Sequence, residues 1–309
     1  MKKITKILLG MLAAGVVLCF GGFAAAGFDV KNMTTGGKFK DSTWESGSQT
    51  VENLSVKTNN EDVTILPSEE EGVRIVYSEN RRFQYTVGLE NGTLRIAPKR
   101  LPWYKEVFSI ITDIPKITVY VGGMYLTNAF DRVFVETDNG DIRALCELAA
   151  KTVELETDNG DITLEKLTAD SLSVEVDNGD VTFKNGSVTN RASFSTDNGA
   201  VILKNANFGA LGVETDNGRV TAEKVTVSAA ANFESDNGDI RLSEFGAQKL
   251  SVELDNGDLT ASLMGARADY TVKIKTYNGD KNVENGGSGA RELTVVTDNG
   301  DVRITFAND

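Results

Sequence analysis

The sequence predicts an all-β protein: a parallel β-helix, or β-solenoid, with coils of about 20 residues, preceded by an N-terminal transmembrane or signal helix. Three observations lead there. The tripeptide Asp-Asn-Gly begins at Asp138, Asp158, Asp177, Asp197, Asp216, Asp236, Asp255 and Asp298, with Tyr277-Asn278-Gly279 as a variant, at spacings of 20, 19, 20, 19, 20, 19, 22 and 21 residues. Apolar residues stand at fixed offsets from it: Val135, Leu155, Val174, Phe194, Val213, Phe233, Val252, Ile274 and Val295 three places before, and Ile142, Ile162, Val181, Val201, Val220, Ile240, Leu259 and Val302 four places after. The period within each flank is two, the mark of strands with one buried and one wet face.

The leader comes first. Lys2, Lys3 and Lys6 precede an uncharged apolar stretch from Ile7 to Phe28, long enough for a membrane helix. Two readings stand: a secretory signal cleaved near Ala24-Ala25-Ala26, or an uncleaved anchor, which the length of the stretch favours. A lipoprotein signal at Cys19 lacks the small residue needed before the cysteine, since Leu18 stands there. With the positive end inside, the chain after Phe28 is expected outside. The expected location is the cell membrane, single-pass with an extracytoplasmic C-terminal domain, or secreted if the leader is cleaved. Residues 29–49 read as a linker or cap.

Residues 50–132 form an irregular N-terminal β section. Val56 to Ile65 reads as a degenerate coil, with Thr58 ahead of the turn as in the array. Glu90-Asn91-Gly92-Thr93 predicts a hairpin. The insertion 101–114 crowds Trp103, Tyr104, Val107, Phe108, Ile110 and Ile111 together. It reads as a short helix covering the open end of the stack, which otherwise exposes unpaired backbone and core side chains. The sharper alternative is a hydrophobic docking surface for a membrane or partner.

Residues 133–309 carry the regular repeats. Asn-Gly supplies the bend, because both residues tolerate positive φ. The same dipeptide is also a strong hairpin signal. A two-residue turn at Asn159-Gly160 would pair Thr157 with Ile162 and Leu155 with Leu164 on one face, so parity does not separate hairpin from coil. Coil length does: stacked coils share a circumference, whereas a meander need not. Identical asparagines one coil apart would stack at about 4.7–4.9 Å as a hydrogen-bonded ladder. Right-handedness follows from the general preference of strand crossovers. A hairpin solenoid of the choline-binding kind would need aromatic residues in every unit; Trp44 and Trp103 both lie outside the array.

These residues carry a resemblance. Ile117 to Val121, then Val133 to Ile142, and the recurring Asn-Gly-Asp-Ile or Asn-Gly-Asp-Val units are similar to DUF4097, a domain family described as a "putative adhesin". The resemblance covers roughly residues 50–306. It implies a β-solenoid on bacterial envelope proteins, often behind a membrane segment, with no established enzymatic activity and with some relatives linked to envelope stress responses. The chain departs from the common pattern in its consistent Asn before Gly and in the disturbed unit around Tyr277.

Composition narrows the chemistry. There is no histidine, and the two cysteines are Cys19 and Cys146. That excludes an imidazole triad, a disulfide framework and a Cys/His zinc site. Beyond the leader the chain has 29 basic and 45 acidic residues, a net charge of −16, which opposes nucleic acid and anionic membrane surfaces. The aspartate pairs Asp138/Asp141, Asp158/Asp161, Asp177/Asp180, Asp236/Asp239 and Asp255/Asp258 repeat too regularly for a catalytic centre and sit where turns prefer them. Calcium along the turn column is disfavoured by Ala200 and Arg219 at the fourth position and by the absence of the Gly-Gly-x-Gly-x-Asp spacing. Symmetry fails where Tyr277 replaces aspartate, Lys281 enters an apolar column and Asn285-Gly286-Gly287-Ser288-Gly289 lengthens the coil. This is a bulged coil near the end, or a displayed ligand loop. Cys146 reads as a small packing residue.

No residue is assigned a catalytic, cofactor-binding or metal role, and no cofactor is expected. The expected function is that of an exported, membrane-tethered, non-catalytic solenoid, acting as an adhesin, ligand-binding or envelope-stress-related scaffold module. Its partners would be a cell-envelope or extracellular ligand, and the membrane through the N-terminal helix. The alternative is a carbohydrate-active β-helix enzyme, a polysaccharide lyase or glycoside hydrolase. An enzyme predicts a lateral groove with clustered acids; a scaffold predicts an even flank.

Overall fold

The computed structural model describes residues 11–12, 14–21, 24, 38–80, 83–99, 115–123 and 130–308. Residues 11–12, 14–21 and 24 are helical, and no helix among the described residues is long and apolar enough to cross a membrane. The apolar insertion 101–114 lies outside the described residues.

From Lys40 onward the chain is built of strands. Leu148–Asn159, Leu167–Asn178, Ser187–Asn198, Val201–Asn217, Val220–Asn237 and Ile240–Asn256 each lie parallel to the next, in register at every turn. After the turn, Ile142–Ala144, Ile162–Glu165 and Val181–Lys184 begin a second column of parallel strands. Consecutive Asp-Asn-Gly corners therefore stack as coils of a solenoid, not side by side across antiparallel ribbons. The asparagines form the expected ladder: Nδ2 of each donates to Oδ1 of the asparagine below, from Asn139 on Asn60 at 3.0 Å, through Asn159, Asn178, Asn198, Asn217, Asn237 and Asn256, to Asn299 and Asn278.

The physical reason for the turn glycine differs from the one expected. Neither the asparagine nor the glycine of these corners has positive φ. The glycine is required because the coils approach too closely for a side chain. A Cβ on Gly160 would stand 2.2 Å from the Gly140 carbonyl oxygen, and one on Gly218 would stand 1.7 Å from that of Gly199. The close approach is useful, because the buried threonines ahead of the corner donate to these same carbonyls: Thr157 to Gly140 at 3.1 Å and Thr196 to Gly179 at 3.2 Å. Positive φ occurs instead at Asn91 (49°) and Gly92 (73°). There Tyr85–Glu90 and Thr93–Pro98 form the predicted antiparallel hairpin, and two left-handed residues suit its tight turn.

Each coil bends again where Lys166, Asn185, Asn205, Lys224 and Glu244 take φ of 50–59°, and a third time where the parallel register slips, as between Ala169 and Ser171. The apolar columns point inward between these bends. Val135, Leu155, Val174, Phe194, Val213, Phe233, Val252, Ile274 and Val295 are all buried, as are Ile142, Ile162, Val181, Val201, Val220, Ile240, Leu259 and Val302. Phe183, Phe194 and Phe208 meet inside the stack with ring centroids 5.3–6.1 Å apart.

Both ends depart from chain order. At the C-terminal end Arg291–Asn299 pairs with Ile240–Asn256, and Tyr270–Asn278 lies outside it. The last coil in sequence is inserted beneath the Tyr277 coil, which is terminal. At the other end Asp62–Ser68 lies parallel to Ile142–Ala144 and to Lys116–Gly122, and Lys116–Gly122 is followed by Gly72–Glu79 and Lys40–Glu45, both antiparallel. In this first coil Glu61 occupies the place of the turn glycine. Its buried carboxylate accepts the Asn59 and Asn60 amides at 2.9 Å each and the Tyr85 hydroxyl. Burial, then the neighbouring Glu61 charge, push the Tyr85 phenol above its ordinary range.

Candidate functional site: an acid-lined lateral trough

The strand ahead of each corner exposes every second side chain, and the exact stacking turns these positions into rows along the rod. One row runs Lys57, Glu136, Glu156, Glu175, Ser195, Glu214, Glu234, Glu253, Val296, Lys275. Six glutamates stand at strand spacing, with a lysine closing the row at each end. Lys57 pairs with Glu136; Lys275 lies 4.0 Å from the ring centroid of Tyr277. The next row inward is Phe134, Glu154, Ser173, Ser193, Gly212, Asn232, Ser251.

Small side chains between larger neighbours leave a trough. Its first part, about 430 Å³, is lined by Phe134, Glu154, Glu156, Ser173, Glu175 and Arg191 among others. A second part of about 390 Å³ continues it past Ser193, Gly212, Glu214, Asn232, Glu234 and Glu253. Phe134 forms the end wall, with Lys57 and Arg132 over its ring at 4.9 and 5.2 Å. Arg191 reaches along Gly212, 3.8 Å from where a Cβ would stand. It supplies a cation in the coil where Ser195 interrupts the glutamates.

Three carboxylates here, Glu156, Glu234 and Asp138, hold their protons more tightly than isolated ones. Burial, then Glu136 and Glu175, raise Glu156; burial, then Glu214 and Glu253, raise Glu234. Asp138 is raised by burial, Asp158 and Glu136. The turn aspartates do something else. Oδ1 of Asp141, Asp161 and Asp180 accepts the backbone N–H of the fourth turn residue in the next coil, at 2.8–2.9 Å. These three bonds tie coil to coil. Among the described residues no group of three or more acidic or cysteine side chains is placed to hold a metal ion.

The family model for DUF4097, described as Toastrack DUF4097, matches residues 51–305, most of the chain and the whole solenoid. The chain belongs to the DUF4097 family. Solved structures that align with it include a "putative adhesin" from Bacteroides fragilis (12% identity, 88% of this chain and 99% of that one, TM-score 0.49). A "putative adhesin" from Parabacteroides distasonis aligns with 9% identity over 88% and 99%, TM-score 0.41. A "putative lipid binding protein" from the same organism has 12% identity over 88% and 100%, TM-score 0.37. No curated protein matches the chain.

In this DUF4097 chain the trough is what reading residue by residue misses. Glu136, Glu156, Glu175, Glu214, Glu234 and Glu253 stand in sequence two places before the corner, a column of one residue type, but the small residues two places before them share no type, and only stacking shows that Ser173, Ser193, Gly212, Asn232 and Ser251 form one floor. Cys146 is buried, and burial, then Glu147, push its thiol up to about 11, in keeping with a packing role. The segment around Gly286 is folded against the end of the stack: Arg267 donates to the carbonyls of Tyr270, Glu284 and Gly286 at 3.1, 2.9 and 3.2 Å.

Proposed function

We propose that the protein is an exported, membrane-tethered, non-catalytic solenoid that holds an extended cell-envelope or extracellular ligand along its lateral trough, in the manner of an adhesin or envelope scaffold. One observation carries the reading. The trough repeats through six coils, from Glu154 to Ser251, with its acids strung along one side at strand spacing. Such a surface suits a ligand that itself extends along the rod and offers cationic or hydroxyl groups at intervals. Tethering is supported by the leader: Met11, Leu12, Val17, Leu18 and Phe20 are 66–75% exposed, so the body of the protein gives them no apolar cover.

The trough also favours a second reading, a carbohydrate-active enzyme, since the flank is not even. Glycoside hydrolysis in most families needs a particular pair of carboxylates, about 5–5.5 or 6.5–9.5 Å apart, facing each other across the sugar. Here the row from Glu136 to Glu253 shares one side of the trough, Glu154 in the next row is paired with Arg132, and the opposite side carries Arg191.

Both readings are tested by capture of isolated envelope glycans and membrane fractions on the full chain in detergent micelles, beside Ser193→Trp, which fills the trough, and Glu214→Lys with Glu234→Lys. Binding that these variants abolish, with no reducing ends or unsaturated products released, is the expected result. Binding unchanged by all three substitutions would remove the trough from the function. Released product would establish the enzyme.

A further inference from the structure

The asparagine ladder has a direction but no natural end. Every Nδ2 donates toward the N-terminal end of the rod, so the ladder would continue unchanged into another coil. Coils of one sequence pattern, parallel and in register, are also a template for further coils, as any open sheet edge is. Something else must end the stack.

The C-terminal edges show what does. Ile274 lies in the outermost strand of one column and Ile304 in the outermost full strand of the other. Asn285 Oδ1 accepts the Ile274 N–H at 2.7 Å, and its Nδ2 donates to the Ile274 carbonyl at 3.1 Å. Asn282 treats Ile304 identically, at 2.8 and 2.9 Å. Each side-chain amide satisfies both backbone groups that a neighbouring strand would pair with. The chain between them leaves the sheet: Asn282 N–H still reaches the Val302 carbonyl at 3.3 Å, and only past Asn285 does the backbone return, as a single antiparallel bridge in which Gly286 and Val272 exchange both N–H···O bonds at 2.9 Å. Glycines let it lie flat across the end. A Cβ on Gly289 would stand 2.2 Å from the Asp269 carbonyl oxygen, and Gly287, at φ +93°, would meet the Tyr270 oxygen at 2.4 Å.

We propose that Asn282 and Asn285 are the terminators of this solenoid: their amides stand in for the next coil and keep this end from pairing with a second copy of the chain. Backbone-like pairing by two asparagines, three residues apart and on two different sheet columns, caps the edges without presenting a new one.

The test compares the full native chain in detergent micelles with two double variants, Asn282→Ala/Asn285→Ala and Asn282→Asp/Asn285→Asp. Hydrogen exchange is read at the Ile274 and Ile304 amides, and sedimentation over a range of concentrations. The native amides should be protected. In the alanine pair they should exchange about fivefold faster or more, the loss of roughly one net hydrogen bond each, and the protein should associate as concentration rises. The aspartate pair loses the same Nδ2 donors but leaves charge at the edge, so it should not associate. If the alanine pair does not fold, the single alanine variants carry the same comparison. Unprotected native amides, an alanine variant that folds but stays at the native mass, or an aspartate pair that associates equally would each overturn the assignment.

Discussion

Replacing Gly218 with alanine separates two explanations of the turn glycine. Its φ is not in the left-handed region, so alanine fits the backbone and any cost is steric. The new Cβ would stand 1.7 Å from the Gly199 oxygen and 2.6 Å from its carbonyl carbon. Reaching ordinary contact requires the coil to lift by about 1.5 Å, where parallel strands sit about 4.8 Å apart. Three links cross that gap close by: Val201 N–H to the Arg219 carbonyl at 3.0 Å, Thr215 Oγ1 to Gly199 at 3.4 Å, and Asn217 Nδ2 to Asn198 at 3.1 Å. At about 1 kcal/mol net for each bond, and with the buried Val201 and Val220 below and above pulled apart, the loss comes to about 3–5 kcal/mol. Gly212→Ala is the control. Its Cβ meets nothing nearer than 3.8 Å and points outward, so it should be neutral or stabilise by up to about 1 kcal/mol. Urea midpoints of the two full-length variants against the native chain give both numbers. A loss below about 1 kcal/mol for Gly218→Ala, or equal losses for the two, would show that close stacking does not select the glycine.

The other expectations follow the same geometry. Val174, 1% exposed and in contact with the coils on both sides, should cost more than about 4 kcal/mol as aspartate and loosen neighbouring coils, seen as lost amide protection on either side. Asp180→Ala removes only the acceptor for the Ala200 amide at an exposed edge and should cost about 0.5–1.5 kcal/mol by thermal melt; Arg219 already follows an alanine in that column. Asn198→Ala breaks two ladder links, to Asn178 and from Asn217, and should cost about 1–2 kcal/mol in urea, whereas unchanged stability would mean that water replaces the ladder at no loss. Acid should help this fold. Glu156, Glu234 and Asp138 have folded pKa values above their unfolded values near 4.5 and 3.8, so the folded state binds protons more tightly. Their contribution is fully present below the unfolded pKa and is lost as pH rises through the folded one. The melting temperature should therefore rise as the pH falls from neutral toward the ordinary carboxylate range, and Glu156→Gln with Glu234→Gln should raise it at pH 7 and flatten that slope. A native chain that weakens steadily on acidification, with the variants parallel to it, contradicts the like-charge row.

Much of the architecture was legible because a repeat constrains every coil by its neighbours. The inward columns, the threonine before the corner and the asparagine ladder each follow from one residue lying over its counterpart, and each is visible as a column of like residues. What stayed hidden lacks that signature. The second bend takes positive φ at lysine, asparagine and glutamate alike, so no residue type announces it. The trough floor is a matter of size rather than identity: serine, glycine and asparagine serve equally. The return of Arg291–Asn299 beneath Tyr270–Asn278 is hidden for a different reason. Either order of the last two coils satisfies the same columns, and only the way the chain between them packs over the end decides.

The departures from the pattern carry the more useful lesson, because each lies toward an end of the regular array. Glycine is obligatory in the corner only when another carbonyl lies directly beneath it. Glu61 fills that position in the first coil, where its side chain turns to the local amides and to Tyr85 instead. An apolar residue four places after the corner is needed only where a further coil seals the interior. Lys281 stands there in the terminal coil, exposed, with Nζ 3.3 Å from the Ile274 carbonyl. Tyr277 replaces the corner aspartate in the same coil and is 59% exposed. Asn-Gly itself obeys the same logic: in the stack it is chosen by the coil beneath, and at Asn91-Gly92, with no coil beneath, by backbone φ. Read this way, a broken column in a solenoid sequence is evidence of an end before it is evidence of a site, and the residues beside the break are the first to ask how the edge is closed.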